Sequence, residues 1–310
     1  KGCDMKTVFG LFVGFSLFIG GALEAQEMPY HIPDVETHQI KSTNVDQTFA
    51  VHVWQPVTKK DGSEKFPVLY ITDANGGIGM AELMHWLHLG GDAPRFIVVG
   101  IGYPVDHALG GSSIRNRDLT PTPSAQLEAE FGLPVDGVPS ITSGKKSGGA
   151  KEFLSFIRDE LVPFVDKNYN TIEGDRGYFG DSLGGLFGLY TLFHEPDTFS
   201  RYIIGSPSIW YDDTVSFKYA EKFLASDQLL NARVYMSVGE LEEDAPSHMV
   251  SNVYKMFALL KSKPMPDLDI KMHVIPGETH TSVVGINLIK GIQAVYDRPN
   301  CSFMDPRCPQ

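Results

Sequence analysis

Between His38 and Val57 apolar and polar residues alternate, with Phe49, Val51 and Val53 on one side, which predicts an opening antiparallel strand pair. Phe66 to Thr72 is instead almost continuously apolar, the pattern of a strand buried on both faces. After a predicted helix over Met80 to Leu89, Arg95 to Gly102 repeats that signal. A further helix is read from Lys151 to Asn168, where Phe153, Phe156, Ile157, Leu161 and Phe164 recur at helical spacing. Tyr178 and Phe179 suit a short buried strand. Strands around Tyr202 to Ile204, Arg233 to Val238 and Leu268 to Ile275 then alternate with helices near Val215 to Ala225, His248 to Lys261 and Val283 to Val295. This alternation predicts an α/β fold: a mainly parallel sheet with helices on both faces.

One stretch breaks the rhythm. From Tyr103 to Gly149 the chain is rich in Gly, Pro, Ser and Thr, and it is too long for an ordinary connection. It reads as a lid-like insertion over the active face. At the other extreme, Lys6 precedes a twelve-residue apolar run, Val8 to Ile19, and small residues follow to Ala25. That is the pattern of a secretory signal peptide over residues 1–25, with residues 1–4 possible upstream additions before Met5. The run is short for a bilayer span, so no stable membrane anchor is expected once it is cleaved. Residues 26–310 then form a single domain in the periplasm or outside the cell. In that oxidising setting Cys301 and Cys308 are expected to pair as a disulfide, and their spacing suits no zinc site.

The hydrophobic content of 42% suffices for a large core without metal support. A formal net charge of -12 argues against nucleic acid and anionic membranes as partners, since no basic excess exists to neutralise phosphates.

Gly180, Ser182 and Gly184, in Gly177-Tyr178-Phe179-Gly180-Asp181-Ser182-Leu183-Gly184-Gly185, fit the G-x-S-x-G elbow that holds a nucleophilic serine at a sharp strand-to-helix turn. A serine hydroxyl needs a base and a group that orients the base. With this elbow they follow in the order serine, acid, histidine. Four histidines lie after Ser182: His194 ends the elbow helix, His248 opens a helix and His273 sits within a strand. His280, in the loop after the last strand, is the expected base. For the acid, Gly239-Glu240-Leu241-Glu242-Glu243-Asp244 offers four carboxylates after the preceding strand. Spacing does not choose among them; Glu242 is favoured, with Glu240 second. The oxyanion of acyl transfer requires backbone donors. Leu183 is expected to give one and Ala74 the other, with Asn75 as the next choice.

The chain resembles the putative esterase family, the esterase D and siderophore-esterase branch of the α/β-hydrolases. The resemblance rests on Tyr70-Ile71-Thr72-Asp73, Arg115 with Arg117-Asp118-Leu119-Thr120-Pro121, Gly148-Gly149-Ala150, the elbow, Ser206-Pro207-Ser208 with Trp210, Val238-Gly239 with Glu242, and Pro276-Gly277-Glu278-Thr279-His280. These pieces span roughly Pro67 to Ser282. The resemblance implies an α/β-hydrolase fold and a cofactor-independent serine ester hydrolase with Ser182, Glu242 and His280 as triad. Trp210 and Tyr211 are candidates to line its pocket.

The expected activity is hydrolysis of a small-molecule carboxylic ester through an acyl-enzyme. A periplasmic siderophore trilactone esterase is a sharper alternative, favoured by export and by Arg115 and Arg117, which suit an anionic iron-loaded ligand. Acyl transfer to a sugar hydroxyl uses the same fold and triad and differs by excluding water.

Overall fold

The computed structural model describes residues 32, 34–56, 62–104, 112–125, 146–244 and 246–297. The signal peptide expected over residues 1–25, the Cys301 and Cys308 pair, and most of the insertion expected over residues 103–149 lie outside the described residues.

Among the described residues eight strands form one sheet: β1 (Val35–Lys41), β2 (Thr48–Trp54), β3 (Phe66–Ile71), β4 (Ile97–Gly102), β5 (Thr171–Asp181), β6 (Arg201–Gly205), β7 (Ala232–Gly239) and β8 (Leu268–Ile275). Their spatial order is β1-β2-β4-β3-β5-β6-β7-β8. β1 pairs with β2, and β2 with β4, antiparallel; every other neighbour is parallel. The fold is the α/β-hydrolase type that the sequence implied.

Consecutive residues of the central strands feed opposite faces, as the two-residue period of a strand requires. Tyr70, Tyr178 and Tyr202 pack with Leu186 and Phe187 of the elbow helix Leu183–His194 and with Phe153 and Phe156. Leu69, Phe179 and Ile203 join Leu288 and Ile292 of the last helix, Val284–Val295, on the other side. The core is therefore two apolar layers with the sheet between them.

Three regions depart from the expected pattern. The helix read over residues 151–168 contains one wide π turn, Ile157–Leu161, between Ala150–Phe156 and Val162–Asn168. β5 begins well before Tyr178, at Thr171, although Ile172, Glu173 and Gly174 are exposed. Within the stretch that looked irregular lies a helix, Ser112–Leu119. Periodicity could not reveal it because its buried residues include Asn116, Arg117 and Asp118, which are polar. Its C-terminal end is stitched to the next helix. Thr120 Oγ1 accepts from the Gly148 amide at 2.8 Å, and Arg117 O accepts from the Gly149 amide at 2.8 Å.

The parallel strands all end at one edge, and that edge gathers the loops that matter. Asp73 and Ala74 follow β3, Ser182 follows β5, Ser206 follows β6, Glu242 follows β7 and His280 follows β8. Crevices beyond the carboxyl ends of such strands are where α/β proteins bind ligands.

Candidate active site

Ser182 has φ 61° and ψ -117°, a conformation that side chains beyond glycine rarely adopt. Strain of this kind is worth about 1–3 kcal/mol and persists only where the surroundings enforce it. Here they do. The Ser182 amide donates to Gly205 O at 3.0 Å, Ser182 O accepts from the amides of Leu186 and Ser208, and Tyr178 Oη donates to Gly184 O at 2.7 Å. The turn is tight enough that a methyl on Gly180 would sit 2.4 Å from Gly184 O, and one on Gly184 would sit 2.7 Å from Thr72 Oγ1. Glycine at both positions is a steric requirement of the elbow.

His280 joins two of these loops. Its Nε2 lies 2.9 Å from Ser182 Oγ and its Nδ1 lies 2.5 Å from Glu242 Oε2. With Nδ1–H donating to the carboxylate, Nε2 is left as an acceptor for the serine proton. Glu242 is buried, and its other oxygen, Oε1, accepts from the Gly239 amide at 2.7 Å and from Ser206 Oγ–H at 2.7 Å. Burial pushes the Glu242 carboxyl up, but the hydrogen bonds from His280, Ser206 and Gly239 outweigh it and hold it below the usual carboxylate range. The hydrogen bond to Glu242 raises the His280 imidazole above its ordinary value; burial and Arg115 oppose the rise, and the charges of Glu242 and Asp181 assist it.

The structure thus brings Glu242 to His280, whereas Glu240 is engaged elsewhere. Glu240 Oε2 accepts from the Gly277 amide at 2.8 Å, bracing the turn that carries His280. The other histidines stand apart. His194 Nδ1 hydrogen-bonds Tyr190 O in the last turn of the elbow helix, His248 caps Met249–Lys261, and His273 lies exposed on β8.

Leu183 and Ala74 each occupy the first position of a helix, Leu183–His194 and the short Ala74–Gly77, where the amide has no partner within its own helix. Asp73 holds the second of these loops in a left-handed turn with φ 61°. The loop is clamped from behind, since Asn75 Nδ2 donates to Tyr103 O at 2.8 Å and Asn75 Oδ1 accepts from the Tyr103 amide at 2.7 Å. The Ala74 methyl faces Gly100 of β4.

A cleft of about 570 Å³ opens over Ser182 and His280, walled in part by Arg115, Ser208, Trp210, Leu241, Met249 and Thr279. Arg115 also borders a second cleft of about 480 Å³, whose walls include Asp73, Asn75, Met80, Phe179, Asp181 and Val284. Between the two, Arg115 Nε and Nη2 grip Asp73 at 2.5 and 3.1 Å, and Nη2 reaches Asp181 O at 3.4 Å.

Two of the pocket candidates lie elsewhere. Arg117 is 2% exposed and pairs with Asp118 at 2.6 Å inside the protein, because it projects from the opposite side of its helix to Arg115. Tyr211 is buried and its hydroxyl donates to Thr122 O at 2.5 Å. Trp210 and Arg115 do reach the cleft. Residues that sequence reasoning left without a role also come together here: Ser208, whose Oγ is 3.4 Å from Ser182 Oγ, and Ser206, which meets Glu242. Both belong to the Ser206-Pro207-Ser208 run, so the signal was present without an assignment. Among the described residues no group of three or more His, Cys, Asp or Glu side chains is arranged to hold a metal ion.

Comparisons with known proteins bear on the family and the fold. Residues 133–266 match the model of the family described as putative esterase. The chain is 29% identical over 284 residues to the ferri-bacillibactin esterase BesA of Bacillus subtilis, covering 88% of this chain and 94% of the relative. It is 29% identical over 221 residues to the siderophore enterobactin esterase of Emericella nidulans, covering 63% of this chain and 70% of that one. Among solved structures, the BES protein of Bacillus cereus superposes with a TM-score of 0.73 at 28% identity, over 88% of this chain and 100% of that chain.

Proposed function

We propose that this carboxylic-ester hydrolase works through an acyl-enzyme on Ser182, with His280 as base and Glu242 as the residue that orients it. The observation that carries the reading is the imidazole held between the serine hydroxyl at 2.9 Å and a buried carboxylate at 2.5 Å. Ser182 Oγ attacks the ester carbonyl while His280 Nε2 takes its proton, and Glu242 stabilises the imidazolium that forms. The negative charge arising on the carbonyl oxygen is met by the Leu183 and Ala74 amides, oriented before the reaction begins. His280 then returns the proton to the departing alkoxide. Water, deprotonated by the same imidazole, attacks the acyl-enzyme and releases the acid.

The substrate we propose is a siderophore ester, with the trilactone of a catecholate siderophore as the specific form. Supporting this are two relatives named for siderophore ester cleavage, each similar to most of this chain's length, and a cleft large enough to admit part of a macrocycle. The leader-like sequence at the N-terminus supports action outside the cytoplasm, in the periplasm or beyond.

The test is a panel of p-nitrophenyl esters of increasing acyl length together with a catechol trilactone, comparing the natural chain with Ser182→Ala. Hydrolysis and covalent labelling by a fluorophosphonate are both expected to vanish in the variant. A well-folded natural protein that ignores every ester would overturn the reading. Cleavage of simple esters without the trilactone would overturn only the substrate.

A further inference from the structure

Glu242 is one end of a longer buried polar chain. Ser206 gives its single hydroxyl proton to Glu242 Oε1, so its oxygen is left to accept. The donor facing that oxygen is Asn287 Nδ2, 3.5 Å away, and the same nitrogen donates to Asp181 Oδ1 at 2.9 Å. An amide nitrogen carries two protons and so addresses both acceptors. The chain runs Asp181, Asn287, Ser206, Glu242, His280, Ser182, and joins two carboxyl groups on either side of the nucleophile.

The backbone is shaped to allow this. Ser206 sits at φ 35°, in the left-handed region. Gly205 leaves the space in which the chain meets: a methyl there would lie 2.5 Å from Asp181 Oδ1 and 2.7 Å from Asn287 Nδ2. Asn287 itself occupies the buried stripe of the last helix beside Leu288, Gly291 and Ile292, where packing alone favours an apolar side chain. It is completely buried, and its Oδ1 has no hydrogen-bond partner among the described residues. A buried amide left half-satisfied is destabilising, so fold stability does not explain its presence.

Resting on the ester-hydrolase reading, we propose that Asn287 and Ser206 are positioning residues that hold Glu242 and Asp181 as a coupled pair of carboxyls around His280. Asp181 is then a second source of negative charge for the imidazolium. Burial pushes Asp181 up to about 6, with Asn287, His280 and Arg115 drawing it back and Glu242 adding to the rise. Its ionisation therefore overlaps the range in which a histidine base loses its proton.

The experiment measures kcat and KM for a neutral p-nitrophenyl ester across the acid limb of the pH profile. Ser206→Ala removes a donor from Glu242, which strengthens the carboxylate's hold on His280 and moves the limb to higher pH. Asp181→Asn removes negative charge beside His280 and moves the limb to lower pH. Each is expected to lower kcat by about tenfold with KM within about twofold, a loss confined to the reacting state. Asn287→Ala, which deprives Asp181 of its donor and favours its neutral form, is expected to follow Asp181→Asn. Opposite displacements are something a purely structural role does not produce. If Ser206→Ala does not fold, Asp181→Asn decides alone, since asparagine fits the same space and still offers Asn287 an acceptor. Limbs coincident with the natural protein, in variants that melt normally and label with fluorophosphonate, would overturn the proposal. Activity surviving in Ser182→Ala would instead overturn the reading beneath it.

Discussion

Glu242 is the side chain whose chemistry is set most completely by its neighbours. Three donors converge on one carboxylate: His280, Ser206 and the Gly239 amide. They keep it ionised in spite of burial, and the ionised form in turn raises His280. A base must be unprotonated to accept the serine proton, so kcat/KM falls as pH drops through the raised His280 value. Glu242→Gln keeps the size of the side chain but turns an acceptor into a donor where Nδ1–H must be received. Two results are expected. The acid limb moves to lower pH because the charge that raised His280 is gone, and kcat drops by about 10²–10⁴-fold because the wrong tautomer of His280 is favoured. A pH series of steady-state rates reads both, and an unmoved limb would show that Glu242 does not govern His280.

The eight-residue helix Ser112–Leu119 carries two arginines with different duties. Arg115 and Arg117 are two positions apart, which on a helix places them on opposite sides. Arg115 grips Asp73 at the loop that offers the Ala74 amide, and Arg117 neutralises Asp118, which has 0% exposure. Burial pushes Asp118 up to about 6 against the hydrogen bonds from Arg117 and Tyr103. Arg117→Ala leaves that carboxyl unpaired in the interior, and a loss of about 3–5 kcal/mol is expected in denaturant unfolding. Arg115→Ala is expected to leave the melting temperature within a few degrees and to lower kcat/KM by about tenfold, because the oxyanion loop loses its brace. Reversal of the two effects would mean that the arginines had been assigned to the wrong sides.

This helix also shows where sequence stops being legible. The central strands β3 and β4 are legible because burial on both faces demands nearly unbroken apolar runs, and β8, Leu268 to Ile275, is legible because its apolar residues alternate with exposed Asp269, Lys271 and His273. The elbow could be read because its geometry admits only glycine at Gly180 and Gly184. The helix over residues 112–119 could not, since beside Ile114 and Leu119 it buries an ion pair and an amide, which breaks the aliphatic stripe. The sequence favours Glu242 over Glu240 as the acid, although spacing does not separate the two. The two sit on one 3₁₀ turn, Glu240–Glu242, and only the path of the following loop decides which faces His280 and which caps Gly277. Asn287 was hidden for the opposite reason: a lone polar residue in an apolar stripe looks like noise until its neighbours are known.

At the scale of the molecule, charge and shape pull in different directions. The formal net charge is -12, and neither arginine of the Arg115 and Arg117 pair is left as an unneutralised cation, since each is matched by an aspartate. Glu242 and Asp244 also border the cleft over Ser182. The long-range field at its mouth is therefore negative, while an iron-loaded catecholate siderophore is itself an anion. Association of like charges is slowed by this repulsion, and salt relieves it by shortening the screening length from about 30 Å at 0.01 M to about 8 Å at 0.15 M. For an iron-loaded trilactone, kcat/KM is expected to rise several-fold over that range, whereas a neutral p-nitrophenyl ester is expected to change by less than about twofold. The metal-free ligand, carrying less charge, is expected to fall between them and to be the better substrate at low salt. Stopped-flow or steady-state rates at constant pH distinguish the cases. A rate for the iron-loaded ligand that falls with salt would mean that a local cationic surface outweighs the net charge, and Arg115, set between the two clefts, is the residue whose removal would then abolish the slope.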